Sequence, residues 1–219
     1  MKGLFVAGTG TDLGKTHIAC AMLRAARAKG LSADAFKPVV SGFDPEAPEA
    51  SDPARLAAAL GRPDAWAEIS PKRYRAPLAP NLAARLEGET LAMADLVADC
   101  RTWLATRDVD LALVEGAGGV MSPMTDDATN LDLMTALDLP VLLVAGSYLG
   151  TASHLLTALE VLRARGLRVA AIVVSESLDA PDLIQTVEML RAFERQVPIV
   201  VSPRDADWDA AELVEIILQ

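Results

Sequence analysis

The sequence predicts an α/β fold, a mostly parallel central sheet with helices on both faces. Three observations carry that expectation. Short apolar runs recur along the chain, and a strand covered on both faces is apolar at every position rather than at alternate ones. Between the runs lie stretches with apolar residues at helical spacing, such as Ile18, Ala19, Met22, Leu23 and Ala26. The first run and the first such stretch are joined by Gly8-Thr9-Gly10-Thr11-Asp12-Leu13-Gly14-Lys15-Thr16, a loop of the G-x-x-x-x-G-K-[ST] type that cradles phosphate when it stands between a strand and a helix.

The elements follow in order. Gly3 to Ala7 reads as a buried strand, and Lys29-Gly30 closes the helix after the loop. Ala33 to Val40 reads as the second strand, Asp44 to Pro53 as a loop rich in Pro, Glu and Asp, and Ala54 to Leu60 as a short helix. Pro63 to Pro80, with its further prolines and with Trp66 and Tyr74, is expected to be irregular and exposed. Thr90 is expected to cap a helix running to about Arg107. Asp110 to Glu115, Leu139 to Ala145, Leu167 to Val174 and Val197 to Val201 read as the third to sixth strands. Asn130 to Leu137, Thr151 to Arg165, Ala180 to Arg195 and Asp209 to Leu218 read as the helices between and after them. No repeat or linker divides the chain, so residues 1–219 are expected to form one domain.

Composition excludes several function classes. A formal net charge of −10 with no run of lysine or arginine argues against nucleic acid or an anionic membrane surface as partner. The longest apolar stretches, such as Val141 to Gly146, fall far short of the ~20 residues of a membrane span. Met1 and Lys2 lead straight into the first strand, leaving no room for a signal peptide. Cys20 and Cys100 stand alone in expected helices, so neither a metal cluster nor a structural disulfide is expected. The reading is a cytoplasmic protein.

Ligands of such sheets bind beyond the carboxyl ends of the strands, and the polar residues of interest all follow strands. A nucleoside triphosphate needs many donors at once. Backbone N–H groups converge on it where glycine, as at Gly14, leaves the approach open, and the helix N-terminus adds more. Lys15 is then a mobile charge for the transferred phosphoryl group, and the Thr16 hydroxyl is a hard oxygen ligand for Mg²⁺. Lys37, in Phe36-Lys37-Pro38-Val39-Val40-Ser41-Gly42, either snorkels from a strand end or stabilises negative charge beside the phosphates. Ser41 shares its loop. Glu115, in Val114-Glu115-Gly116-Ala117-Gly118-Gly119, stands where a Walker-B carboxylate holds Mg²⁺. The glycines after it let backbone pass close to a ligand. Asp52 is either part of a helix cap in Ser51-Asp52-Pro53 or a second carboxylate for the metal. His17 and His154 lack partners at metal spacing, and on pattern alone they are structural or surface residues.

With these motifs, and with Leu149-Gly150-Thr151-x-x-His154, the chain resembles the dethiobiotin synthetases of the P-loop NTPase-like superfamily over nearly its whole length. The resemblance implies an ATP-dependent ligase of biotin biosynthesis. CO₂ adds to one amine of 7,8-diaminononanoate, ATP phosphorylates the carbamate, and the second amine closes a ureido ring with release of ADP and phosphate. It further implies Lys15 and Lys37 as catalytic cations and Thr16, Asp52 and Glu115 as Mg²⁺ ligands. Asp12, Leu13, Gly14, Lys15, Thr16, His17, Asp52, Glu115, Gly116, Ala117, Gly118, Ser175 and Glu176 would line the nucleotide. Thr11, Lys37 and Ser41 would meet the diamine or its carbamate. Gly150, Thr151, Ala152 and Ser153, at a helix N-terminus, would meet the substrate carboxylate of the neighbouring subunit in a homodimer. Family members often carry Asn-Asp where this chain has Ser175-Glu176, and many carry Asn at Ser153. Ser202-Pro203-Arg204-Asp205 also differs from the usual pattern, which leaves base selectivity open. The runner-up is a ParA/MinD-type ATPase switch. Against it stand Gly10, where those proteins carry an extra lysine, and the acidic stretch from Trp208 to Gln219 in place of a basic membrane-binding helix.

Overall fold

The computed structural model describes residues 2–178, 180–204 and 208–219. β1 (Lys2–Gly8) runs through the glycine loop into α1 (Lys15–Ala28), and β2 (Ala33–Phe36) and β3 (Val39–Ser41) follow. Next come α2 (Asp52–Ala59), α3 (Trp66–Ile69), β4 (Lys72–Tyr74), α4 (Pro80–Leu86) and α5 (Met93–Ala105). β5 (Leu111–Gly119), α6 (Asn130–Leu137), β6 (Val141–Gly146) and α7 (Thr151–Ala164) form the middle of the fold. β7 (Val169–Ser175), α8 (Leu183–Phe193), β8 (Ile199–Ser202) and α9 (Ala211–Leu218) complete it.

Among the described residues six strands form the main sheet in the order β2-β5-β1-β6-β7-β8, every neighbouring pair parallel. Side chains alternate across it. Leu4 and Val6 of β1, with Leu111 and Leu113 of β5, pack against α1, α2 and α9. Phe5 and Ala7, with Ala112 and Val114, pack against α5, α6, α7 and α8. Two buried faces explain why the strands are apolar throughout. Because β1 lies between β5 and β6, the loops leaving these strands open side by side at one edge.

Four expectations are corrected. The second strand does not run from Ala33 to Val40: it leaves the main sheet after Phe36, and Val39–Ser41 pairs instead with Lys72–Tyr74 in a small parallel sheet. Pro38 lacks the N–H a central strand needs, and the break frees Lys37 to turn inward. The stretch from Pro63 to Pro80 is not simply exposed loop. It contains α3 and β4, and Ile69 and Tyr74 are buried. The irregular stretch also does not run through Pro80, which opens α4 at a first helical position where proline is tolerated. Thr90 does not cap α5. That helix starts at Met93 after Ala92 without a side-chain cap, and Leu91 is buried. No helix among the described residues is long and apolar enough to cross a membrane. Cys20 and Cys100 are both free and buried, and burial pushes their thiols up to about 11 and about 12.

Candidate functional site: a nucleotide cleft with a buried ion cluster

The loop after β1 is shaped by its glycines. Gly14 ends it with φ 88°, a left-handed conformation, and is the N-cap of α1. The spacing departs by one residue from the usual pattern, since Thr9 and not glycine stands five residues before Gly14. Gly8 is required instead for close approach: a Cβ there would lie 2.9 Å from the Gly10 carbonyl oxygen and 3.2 Å from the Lys15 ammonium. Lys15 donates back across the loop to that same carbonyl at 3.0 Å. Burial lowers the Lys15 pKa, and repulsion from Lys37 adds to this against the pull of Glu115.

Beside the loop lies a cluster of four side chains. Glu115 points to the α1 side of the sheet, in phase with Leu111 and Leu113, and is buried. Its Oε1 accepts from the Thr16 hydroxyl at 2.7 Å and from the Lys37 ammonium at 2.6 Å. Lys37 also donates to Asp52 Oδ2 at 2.5 Å. With Lys37 only 4% exposed, its head group is inside the protein, which rules out snorkelling. Burial opposes the ammonium, but Glu115 and then Asp52 outweigh it and hold its pKa above the ordinary lysine value. Burial alone would likewise raise the Asp52 pKa, yet the charge of Lys37 and hydrogen bonds from Lys37 and Thr16 hold it below the ordinary carboxylate value. The cap of α2 is Ser51, whose Oγ accepts from the Ala54 N–H at 3.4 Å. Asp52 is therefore not consumed by capping.

The donor set suits a divalent cation. Glu115 Oε2 is buried with no hydrogen-bond partner. Among the described residues no three His, Cys, Asp or Glu side chains gather as a metal site by themselves. An ion here would rely on two carboxylates, the Thr16 hydroxyl and oxygens of a bound phosphate, which is how Mg²⁺ is commonly held beside a nucleotide.

A cleft of about 770 Å³ opens over this cluster, a volume in the range of small-molecule sites. Thr11, Asp12, Leu13, Gly14, Lys15, Thr16, His17, Lys37, Ser41, Asp52, Ala117, Gly118, Ser175 and Glu176 line it. Glu115 sits behind Thr16 rather than on the wall. Gly116 lies off the wall too, and its lack of a side chain serves packing: a Cβ there would lie 2.9 Å from both the Phe5 ring and Asn130 Oδ1. The rest of the wall is formed by the last residues of β7 and β8 and the segments that follow them. Ser175 Oγ would lie 3.0 Å from a Cβ on Gly14, and Glu176 Oε2 accepts from the Arg204 N–H at 2.9 Å. Asp205 lies outside the described residues.

The Gly150–Ser153 segment does not reach the cleft of its own chain. Gly150 caps α7 with φ 96°, the Thr151 hydroxyl is buried and donates to the Gly146 carbonyl at 2.5 Å, Ala152 is half-buried and Ser153 is exposed. His154 Nδ1 pairs with the Tyr148 hydroxyl at 2.8 Å. Ser202, Pro203 and Arg204, whose segment the sequence raises for base contacts, line the wall, and sequence reasoning missed Arg55 there. Arg55 could have been found, because residues three apart on a helix share a face with Asp52. His17, half-buried on the wall, is held below the ordinary histidine value by burial and then by Arg55, Arg24 and Arg204.

A parallel sheet, a glycine loop at a helix N-terminus and a buried carboxylate on the neighbouring strand define a P-loop nucleotide-binding protein. A family model described as an AAA domain matches residues 2–203. The MinC:MinD cell division protein complex of Aquifex aeolicus shares the fold at TM-score 0.57 and 12% identity, over 100% of this chain and 86% of that one. The ATP-dependent dethiobiotin synthetase BioD of Caulobacter vibrioides is 77% identical over 218 residues, covering 100% of both chains. Its namesake in Caulobacter sp. strain K31 is 61% identical over 137 residues, 63% of this chain and 60% of that one. The chain belongs to the ATP-dependent dethiobiotin synthetase family.

Proposed function

We propose that the chain, acting as a single cytoplasmic domain paired in a homodimer, closes the ureido ring of dethiobiotin from 7,8-diaminononanoate, CO₂ and ATP. The observation that carries this reading is the Lys37 ammonium held between Asp52 and Glu115, next to Lys15 and Thr16. Two anions, a carbamate and a triphosphate, must be brought together, and cations fixed in a largely buried site suit that task.

In the first step an amine nitrogen attacks the carbon of CO₂ and gives up a proton, forming a carbamate. A carbamate oxygen then attacks the γ-phosphorus, and the bond to the bridging oxygen breaks to release ADP. The second amine attacks the carbonyl carbon of the mixed anhydride. The carbon–oxygen bond to phosphate breaks, a second proton leaves, and the ring closes. Lys15 and Lys37 offset the charge that gathers on the carbamate and the phosphoryl oxygens. Thr11 and Ser41, on the cleft wall, orient the diamine or its carbamate. The residues from Asp12 to His17, with Ala117 and Gly118, surround the nucleotide, Glu115 and Gly116 back that wall from behind, and Ser175 and Glu176 meet the base. Thr16, Asp52 and Glu115 would hold Mg²⁺, which supplies charge neutralisation at the phosphates. Gly150, Thr151, Ala152 and Ser153 serve the partner's site with the N-terminus of α7. Its unpaired N–H groups suit a carboxylate.

Full-length identity to a synthetase and Gly10 in place of a second lysine favour a ligase over a positioning ATPase. Phosphate release by the purified protein is expected to require the diamine, bicarbonate and Mg²⁺ together. Release that instead depends on a protein partner would favour the switch and overturn the ligase.

A further inference from the structure

Asn130, the first residue of α6, takes no part in the cleft wall, yet its side chain is committed to the stretch that follows Glu115. It is 1% exposed. Its Nδ2 donates to the Ala117 carbonyl and, at 3.0 Å, to the Gly119 carbonyl. Its Oδ1 is buried with no hydrogen-bond partner. An unpaired buried acceptor is costly, so the two donated bonds are what this amide offers. Asn130 is itself well fixed. Its N–H donates to the Ser122 carbonyl at 3.0 Å, and a capping box of Thr129 and Asp132 holds the start of α6.

The consequence follows from the geometry of the peptide unit. No described peptide bond is cis, and in a trans peptide the C=O of one residue and the N–H of the next point in opposite directions. With the Ala117 carbonyl drawn back onto Asn130, the Gly118 N–H is turned away from it. Gly118 is a wall residue of the cleft, next to Thr11, and its φ of 71° is one that glycine adopts without strain.

We infer that Asn130 is a positioning residue: it fixes the Ala117–Gly118 peptide so that the Gly118 N–H donates to an anionic oxygen of the reacting group. That oxygen belongs either to the carbamate or to the transferred phosphoryl group. A donor fixed in advance stabilises charge where it builds up without having to reorganise. The inference rests on the carbamate-and-triphosphate reading of the cleft.

The test begins with the unsubstituted chain. In a ¹⁵N-labelled sample the Gly118 amide resonance is followed as a non-hydrolysable ATP analogue with Mg²⁺ is added, and separately as the diamine with bicarbonate is added. A shift with the nucleotide alone assigns the acceptor to the phosphoryl group, and a shift that needs the diamine and bicarbonate assigns it to the carbamate. No shift in either arm overturns the inference. Asn130→Ser keeps a single donor on a shorter side chain, while Asn130→Asp turns acceptor oxygens toward the two carbonyls. In Asn130→Ser, turnover is expected to fall at least about tenfold with the Gly118 response lost, while the KM for ATP stays within about threefold. Asn130→Asp should fall further. Turnover of Asn130→Ser within about threefold of the unsubstituted chain, or an equal loss of turnover and nucleotide affinity, overturns the inference. If neither variant folds, the unsubstituted chain's amide shift decides alone. A Gly118 shift in a chain that releases no phosphate with every substrate present would instead sink the ring-closure reading and leave the positioning of Gly118 standing.

Discussion

The two ends of the cleft are built differently. At the end over the ion cluster Lys37, Asp52, Glu115 and Thr16 form a set of charge-assisted contacts of 2.5 to 2.7 Å, with the ammonium and Glu115 inside the protein. Toward the other end Ser175, the last residue of β7, stands beside Gly14, and Glu176 and Arg204 project from the segments after β7 and β8, where Glu176 accepts from the Arg204 N–H and its own N–H donates to the Ser202 carbonyl. Charges held in a largely buried site act strongly on a reacting group and tolerate no loss of a partner. Polar and charged groups beside solvent are screened and act weakly. The chemistry should therefore depend steeply on the first end, and base choice only gently on the second.

The largest expected effect comes from removing the central cation. Lys37→Ala should lower kcat by about 10³-fold, the scale of losing a fixed electrostatic stabiliser. Nucleotide binding, measured by equilibrium titration, should change little, because the glycine loop and Lys15 are untouched. Equal losses in binding and turnover would show that Lys37 merely holds the cleft together.

Glu115→Gln should cost less, about 10²-fold in turnover, with weaker Mn²⁺ binding read by electron paramagnetic resonance as the direct sign of a lost ligand. The same measurement on Lys37→Met should go the other way. The ammonium stands between the two carboxylates that would hold the ion, so its removal should tighten Mn²⁺ binding in the absence of nucleotide. Unchanged binding in Lys37→Met would mean that ammonium and metal do not share these carboxylates.

How much of this was legible in the sequence depends on the range of the contact. The glycine loop, Lys15 and Thr16 are contiguous, so their pattern carries their geometry. The parallel sheet was legible because strands covered on both faces leave no polar phase. Lys37 was suspicious as a lysine in an apolar run, but its contacts with Asp52 and Glu115 span 15 and 78 residues, and no local rule fixes them. Spacing alone favours the cap reading of Asp52, and the structure gives that cap to Ser51. The break at Pro38 was in plain view and was outweighed by the apolar residues around it. Asn130 left no signal, because its partners are backbone carbonyls that any residue would present.

Acid stability gives a smaller, signed effect. The depressed pKa of Asp52 means its contribution is complete above about pH 4 and is lost as pH falls through the depressed value. Lys37 runs oppositely: with its pKa raised, its contribution is complete below about pH 10 and fades only as pH climbs through the raised value. Thermal melts from pH 7 down to pH 3 should show a loss of melting temperature that is smaller in Lys37→Met than in the unsubstituted chain. Identical slopes would mean that the pair does not couple to folding.

The smallest expected effect lies at the base end. Replacing both Ser175 and Glu176 with Ala should alter the ratio of kcat/KM for ATP over CTP by less than about tenfold, with kcat for ATP nearly intact. A collapse of kcat would erase the contrast between the two ends.

Oxygen transfer tests the account most directly. If a carbamate oxygen attacks the γ-phosphorus, turnover in ¹⁸O-labelled bicarbonate, read by mass spectrometry before the label washes out, places one bicarbonate-derived oxygen in each phosphate released. Phosphate that forms at the same rate without label, its new oxygen coming from water, would mean that the clustered cations serve hydrolysis and not the activation of a carbamate.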